Sequence, residues 1–222
     1  MPSVGKPIPH DSAVGHVTGQ ALYLDDLPLM EGELLVAPVG SPVAAGRLLA
    51  VDVDAACRIP GVAGCYTAGD VAGDNLFGLL GVDEPFLADE RLLYLGQPVA
   101  VVAAEDDAAL RRGQAAVEVQ CRPDEPLLDL EQAVDQQQFL GVQRRIARGD
   151  VERALRDAPC RLSGTFRTGG QEQFYLESQA AIAYPGEDRQ LIIHSSPQNP
   201  TEIQAVVAAV LRLGQHEVGC VC

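Results

Sequence analysis

The run Pro98–Ala104, Pro-Val-Ala-Val-Val-Ala-Ala, constrains the fold most, because every residue in it is apolar. A strand with one face in water alternates polar and apolar residues, whereas an unbroken apolar run of strand length is typical of a strand that is buried on both faces. We therefore expect a central strand here. Three acidic residues, 105–107, follow it and predict the start of a helix that continues to about Ala116.

The residues around this strand predict a mixed α+β domain. Strands are expected at residues 19–24, 34–39, 47–53, 62–67 and 117–121, each a short apolar or alternating run. Asp54 is a good N-cap for a short helix over residues 55–59, which Pro60 would end. This order of elements indicates an α+β domain that ends near Pro126.

The second half of the chain begins with a polar connector and then returns to regular structure. Asp150 is expected to cap a helix over residues 151–157, and a strand is expected at residues 160–166. Residues 179–184 and 190–194 predict a hairpin. An amphipathic helix is expected at residues 201–213, with Gly214 as its stop, and a further strand begins at Val218. We expect the chain to be the front part of a longer enzyme, because it stops on this apolar strand.

Composition and charge exclude several classes of function. Aromatic residues make up only 5% of the chain and Trp is absent, so the core must consist of Val, Leu, Ile and Ala. The net charge of −15 would repel phosphate backbones, which argues against nucleic acid as a partner. No run approaches the length of a membrane span, and the N-terminus has no apolar signal core. We therefore expect a cytoplasmic protein that binds no membrane.

No catalytic or metal-binding pattern stands out by itself. The six cysteines are scattered, and the four histidines lie far apart without metal-ligand spacing. Ser195 and Ser196 are not within a nucleophile elbow. The glycine-containing loop at residues 69–75 lacks the basic residue and the helix that a phosphate cradle needs. These patterns predict no metal ligand, and they leave a Ser-His-Asp arrangement open without favouring it.

The segment at residues 169–177, Gly-Gly-Gln-Glu-Gln-Phe-Tyr-Leu-Glu, is the most informative candidate for a binding site. Two glycines allow the backbone to pass close to a bulky partner. Neutral amide side chains follow at once, and then a Phe-Tyr-Leu anchor. A turn with this composition suits a large polar cofactor better than a plain connection between strands.

Five blocks together carry a family resemblance. They occur in order at residues 10–28, 67–75, 83–98, 169–177 and 195–200. In this order the chain resembles the start of the molybdenum-binding subunit or domain of xanthine dehydrogenase, in the wider xanthine oxidase/aldehyde oxidase family. The Asp83-Glu84-Pro85 block points to the xanthine dehydrogenases rather than the aldehyde oxidases.

The resemblance implies a fold and domain limits. Residues 1–13 would be a leader and residues 14–126 the α+β "hammerhead" domain. Residues 127–144 would be a connector, and residues 145–222 would open the first molybdopterin-binding domain. The polar connector found from composition lies in the same place.

The resemblance also implies an activity and its cofactors. Members of this family hydroxylate an electron-poor carbon of their substrate at a molybdenum ion that molybdopterin holds. The substrate here would be hypoxanthine or xanthine, and the final product would be urate. Electrons would pass to iron–sulfur clusters and FAD on a partner domain or subunit, and from there to NAD. The protein's part is to bind, orient and polarise the cofactor.

Two residues take a cofactor-binding role from the resemblance. Gln171 matches the family glutamine whose side chain reaches the oxygen ligand of molybdenum, and Gly170 would give the backbone room beside it. Phe174, Tyr175 and Leu176 would anchor the turn, and Glu177 would make a structural hydrogen bond. The chain departs from the family at Gln173, where histidine is common. The family's substrate-binding residues and catalytic Glu lie beyond Cys222, so the fragment alone should not turn over purine.

Two other classes of function stay open from the sequence. The chain could be a stand-alone binding or assembly module that uses the hammerhead domain to dock an iron–sulfur/FAD subunit, without catalysis. It could also be a structural domain that binds no ligand.

Overall fold

The apolar run at Pro98–Ala104 forms the middle strand of a three-stranded antiparallel sheet. This strand, β7, pairs with β1 (Leu35–Gly40) on one side and with β3 (Val62–Thr67) on the other. Val99 packs into one apolar cluster, and Val102 and Ala104 pack into another. Because alternate residues of a strand point to opposite faces, both faces of β7 are buried, as the sequence predicted.

The computed structural model describes residues 4–78, 83–139, 141, 143–175, 177 and 179–222. It divides into two units, of which the first comprises residues 1–126 and 177–222 and the second residues 127–176. The first three residues of the expected leader and Leu176 of the expected anchor lie outside the described residues.

The remaining helices and strands of the first unit are α1 (Ala13–Thr18), β2 (Gly46–Asp52), α2 (Asp54–Cys57), β4 (Leu76–Phe77), β5 (Glu84–Pro85), β6 (Arg91–Leu92), α3 (Asp107–Ala116), β8 (Glu118–Pro123), β9 (Ala181–Pro185), β10 (Leu191–Ser195), α6 (Pro200–Leu211) and β11 (Val218–Val221).

A second antiparallel sheet has the strand order β6–β2–β8. Its core side chains, Leu48 and Leu92, join Ala88 and Val99 in one buried cluster. Leu49 bulges out of β2, because the register with β8 shifts between Leu48 and Ala50. A short hairpin, β4 with β5, stands apart from this sheet.

Helix α3 begins where the acidic residues predicted it. Asp106 is the N-cap, and its Oδ1 accepts a hydrogen bond from the backbone N–H of Ala109 at 2.7 Å. The helix buries Ala109 and Leu110 against β7, which completes the second apolar cluster. The cap and the apolar stripe together explain why the helix forms at this point.

Residues 177–222 form a third sheet with one helix on it. β9 and β10 make the predicted antiparallel hairpin, and β11 joins β10 in parallel. Helix α6 begins at Pro200, with Asn199 as its N-cap. It ends at Leu211 rather than near Gly214, because Arg212 takes the left-handed conformation of a C-cap.

The second unit, residues 127–176, has no core of its own. It contains α4 (Leu130–Asp135) and α5 (Val151–Asp157), and none of its described residues is buried. The prediction that Asp150 caps α5 is confirmed, since its Oδ1 accepts the N–H of Arg153 at 2.9 Å. The expected strand at residues 160–166 is wrong. No neighbouring strand pairs with these described residues, and a lone strand leaves its backbone groups without partners.

Two other expectations are wrong in the first unit. Residues 19–24 do not form a strand, because the chain before them closes into α1 and Gly19 ends that helix in the left-handed conformation. Asp54 does not cap α2 but is its first residue, and Asp52 instead accepts the N–H of Asp54 through Oδ1 at 2.9 Å. In both places a turn one or two residues away decides the conformation.

Candidate functional site

The segment that carries Gln171 is open to solvent within its own unit. A Cβ atom placed on Gly169 or Gly170 would meet nothing within 4 Å. Gln171 is exposed, and its side-chain amide makes no hydrogen bond to any residue that the structure describes. The amide N–H and C=O groups of this side chain are therefore available to a partner outside the unit.

An ion pair ties the start of this segment to α4. The guanidinium of Arg167, four residues before Gln171, pairs with the carboxylate of Glu131. Both side chains are mostly exposed, and such exposed pairs contribute at most about 1 kcal/mol. The pair is therefore expected to contribute little to holding the segment.

Phe174 was expected to anchor the turn beside the amides, but its side chain does not pack against the rest of the unit. The side chain of Phe174 is 93% exposed and its φ is 50°, so it packs against nothing in the unit. Tyr175 is half exposed. Phe174 therefore does not hold the turn within this unit.

Glu177 makes the structural hydrogen bond that the sequence predicted. Its Oε1 accepts the backbone N–H of Leu24 at 3.4 Å. Leu24 begins a short 3₁₀ helix whose cap is Tyr23. The contact links the start of the third sheet to the N-terminal region of the same unit.

A second opening lies at the end of the third sheet. An open cleft of about 400 Å³ is lined by residues 179–181 and by residues 195–197, which lie before β9 and after β10. The Oγ of Ser195 donates to the carbonyl of Ala180 at 3.5 Å across this cleft. Residues 195–197 were singled out only through the resemblance, because a pair of serines after a strand has no distinctive pattern.

The loop at residues 69–75 has a structural role that sequence reasoning missed. The backbone N–H of Gly73 donates to the carbonyl of Val210 at 2.7 Å, and that of Asp74 donates to the carbonyl of Ala209 at 3.2 Å. These carbonyls belong to the last turn of α6, where a helix leaves its acceptors unpaired. The loop therefore caps α6 and does not cradle an anion.

Asp70 fixes the start of this loop. Its Oδ2 accepts the backbone N–H of Thr67 at 2.7 Å and the hydroxyl of Thr67 at 2.9 Å. These two hydrogen bonds lower the pKa of the Asp70 carboxyl below its usual value. The stability that these hydrogen bonds give the turn is therefore fully present at pH values above the usual pKa of an aspartate. It is lost as the pH falls through the lowered pKa of Asp70.

The described residues fit a cofactor that brings its own metal better than a metal bound by side chains. Among them, no group of three or more His, Cys, Asp or Glu side chains could hold an ion. The segment at residues 169–175 instead offers a free amide and unobstructed backbone, which suit a large polar group. An amide can donate to a negatively charged oxygen without changing its own protonation.

Comparison with known protein families gives two matches along the chain. Residues 18–125 match the family model described as aldehyde oxidase and xanthine dehydrogenase, a/b hammerhead domain. Residues 133–222 match the model described as molybdopterin cofactor-binding domain. The two matches occur in the order that the sequence predicted.

Curated relatives of two kinds are similar to the same degree. The chain is 37% identical to aldehyde oxidase 1 of Cavia porcellus over 219 aligned residues. These residues make up 98% of this chain and 16% of that protein. It is 38% identical to a xanthine dehydrogenase of Emericella nidulans over 218 aligned residues. These residues make up 97% of this chain and 16% of that protein. The chain thus spans about one sixth of the length of these relatives, and their identities do not separate the two activities.

Solved structures share the fold. Quinoline 2-oxidoreductase from Pseudomonas putida 86 superposes with a TM-score of 0.79 at 24% identity, over 99% of this chain and 30% of that one. Aldehyde oxidoreductase from Desulfovibrio gigas superposes with a TM-score of 0.78 at 24% identity, over 96% of this chain and 26% of that one. At this identity the likeness concerns the fold alone.

Among the helices that the structure describes, none combines the length and apolar character needed to cross a bilayer.

Proposed function

Because this chain belongs to the aldehyde oxidase and xanthine dehydrogenase family, we propose that it is the N-terminal part of the molybdopterin-binding portion of a xanthine dehydrogenase. The hammerhead domain would extend over residues 14–126, the connector over residues 127–144, and the first part of the cofactor domain over residues 145–222. The family match at residues 18–125 supports the limits proposed for the hammerhead domain. The match at residues 133–222 supports a cofactor domain in the last part of the chain, although it begins within the proposed connector.

The observation that carries the proposal is the match of residues 133–222 to a molybdopterin cofactor-binding domain, together with the open amide segment inside it. The bound molybdenum cofactor would supply the redox chemistry of hydroxylation. Gln171 would donate its amide N–H to the oxygen ligand of the metal, and Gly170 would leave the backbone free to approach. An amide placed in advance stabilises negative charge on that oxygen without reorganising.

The chain's own residues have further roles in this proposal. Phe174 would pack against polypeptide that closes the site and excludes water from it. The capped helix α6 would hold the end of β10, and with it the cleft at residues 195–197, in a fixed position. No residue of the chain is assigned as the general base.

Xanthine or hypoxanthine is the proposed substrate, with electrons passing to iron–sulfur clusters, FAD and NAD on a partner domain or subunit. The Asp83-Glu84-Pro85 block supports this choice. The proposed location is the cytoplasm. Aldehyde oxidation is the second candidate, because aldehyde oxidase 1 of Cavia porcellus is as similar as the xanthine dehydrogenase.

Parallel substrate assays on the complete protein that carries this chain, expressed with its neighbouring genes, test the proposal. We expect xanthine to drive NAD reduction and urate formation with a kcat/KM at least about tenfold above that for benzaldehyde, which corresponds to about 1.4 kcal/mol of selective transition-state binding. Protein from molybdate-depleted cells is the control and should be inactive with both substrates. A preference for the aldehyde would replace the xanthine assignment by the second candidate. Inactivity with both substrates at full molybdenum loading would reject both.

A further inference from the structure

One stretch of the second unit, residues 143–149, has no contact that would hold its backbone in place. It contains neither helix nor strand, and every residue in it is exposed. Its residues make no hydrogen bond and no ion pair with any residue that the structure describes. Exposed backbone without hydrogen bonds is the preferred target of proteolytic nicking, because a protease can bind it without breaking any interaction within the substrate.

The same stretch carries three unpaired cations. Arg144, Arg145 and Arg148 lie within five residues, in a chain whose net charge is −15. All three side chains are exposed, and none has an acidic partner among the described residues. A serine protease of the trypsin class binds an arginine side chain in a pocket that has a carboxylate at its base. The residues of this stretch therefore match the specificity of such a protease in charge as well as in accessibility.

Arginines in the first unit are held by regular structure. Arg47 lies in β2 and Arg122 in β8, while Arg111 lies in α3 and pairs with Asp107 at 2.8 Å. Cleavage after any of these requires local unfolding of a sheet or of a helix. Arg161 of the second unit is also exposed and outside any helix or strand, so it is the strongest competing site.

We propose that residues 143–149 form a processing site at which an arginine-specific serine protease of the trypsin class hydrolyses the bond between Arg145 and Ile146. Water adds across this C–N bond, which gives Arg145 a new carboxylate and Ile146 a new amino group. The bond lies near the middle of the free stretch. The bond after Arg148 is followed by only one free residue before Asp150, the N-cap of α5, so less extended backbone is available there.

A cut at this bond leaves every described sheet whole. The sheets β1–β7–β3, β6–β2–β8 and β4–β5 lie before it in the chain, and the sheet β9–β10–β11 lies after it. The three apolar clusters are also undivided, since two consist of residues before the cut and the third of residues after it. Each piece keeps its own core, so the first cut does not require the fold to open.

Brief digestion of the full 222-residue chain with trypsin tests the proposal. Intact-mass spectrometry identifies the first products while most of the chain is still uncut. We expect residues 1–145 and 146–222 as these products. The same digestion of the chain unfolded in urea is the control, and it should give no preferred first cut, because all arginines are then accessible.

Substitution of the three arginines separates this site from the competing one. The triple variant Arg144→Gln, Arg145→Gln, Arg148→Gln should survive at least about threefold longer than wild type, because the remaining arginines are fewer or need local unfolding. Arg122→Gln in β8 is the matched control and should keep the wild-type half-life. The proposal is overturned if trypsin first cuts at Arg161 or at another arginine outside the stretch. It is equally overturned if the triple variant is digested as fast as wild type, or if the unfolded chain shows the same preferred cut.

Discussion

Replacing Gly73 by Ala is expected to lower the free energy of unfolding of the first unit by about 3 kcal/mol, the size typical of a forced overlap that also breaks hydrogen bonds. A Cβ at this position would lie 1.9 Å from the carbonyl oxygen of Ala209 and 2.7 Å from that of Val210. Both are backbone atoms of helix α6 and cannot rotate away. The loop must therefore withdraw, and the hydrogen bonds from Gly73 and Asp74 to the helix end are lost.

Denaturant unfolding and amide hydrogen exchange measure this effect. In Gly73→Ala the amides of α6 should exchange faster, while those of β7, in a separate sheet, should keep their protection. Gly69→Ala is the matched control in the same loop, since its Cβ would meet only the Thr67 hydroxyl, at an ordinary 3.7 Å. The free energy of unfolding of Gly69→Ala should be unchanged or raised by up to about 1 kcal/mol, because alanine reduces the conformational freedom of the unfolded chain. Wild-type protection of α6 in Gly73→Ala would show that the loop does not hold the helix.

Replacing Gln171 by Ala is expected to reduce kcat about 100-fold in the complete protein, with little change in KM. Removal of one preorganised hydrogen-bond donor from a reacting oxygen typically costs a factor of about 10² to 10³ in kcat. The side chain is exposed in its unit and has no partner among the described residues, so the substitution should not disturb the fold. Steady-state rates normalised to molybdenum content separate a catalytic loss from a loss of cofactor.

The neighbouring amide provides the control for this substitution. Gln173 is also exposed and lies two residues further along the chain. Gln173→Ala should keep a kcat within about twofold of wild type, as expected for a surface change away from the reacting atoms. Gln171→Glu should be as slow as the alanine variant, because a carboxylate cannot donate and adds negative charge. A wild-type kcat in fully loaded Gln171→Ala would reject the proposed role.

Much of the fold could be predicted because its signals are local. The strand at Pro98–Ala104 is apolar throughout, and its burial on both faces follows directly from that pattern. Asp150 caps α5 as expected, and the acidic run at residues 105–107 marks the start of α3 as expected, where Asp106 proves to be the N-cap. These features depend only on residues within one turn or one strand.

The wrong predictions arose where the sequence pattern was too short to decide. Residues 19–24 alternate weakly, but the preceding α1 and the left-handed Gly19 determine the path of the chain. Residues 160–166 have strand-like composition but no described neighbour to pair with. A strand needs a partner as well as a pattern.

Composition indicates the segment at residues 169–177, but Gln171 within it could be proposed only through family resemblance. Gln171 has no charge, no metal-ligand spacing and no contact in the described structure, so no physical rule distinguishes it from Gln173. The contact of Gly73 with α6 was missed for another reason, since its partners Ala209 and Val210 lie about 136 residues away in sequence. Sequence separation of this size leaves no local signal.

The molybdenum content of purified protein tests the central claim most directly. We expect about one molybdenum per chain in the complete protein. The 222-residue chain expressed alone should hold well under one tenth, because the cofactor segment is open and its unit has no core. Both samples should come from cells that fully load a control molybdenum enzyme. A complete protein without molybdenum under those conditions would contradict the account, and so would stoichiometric metal on the isolated chain.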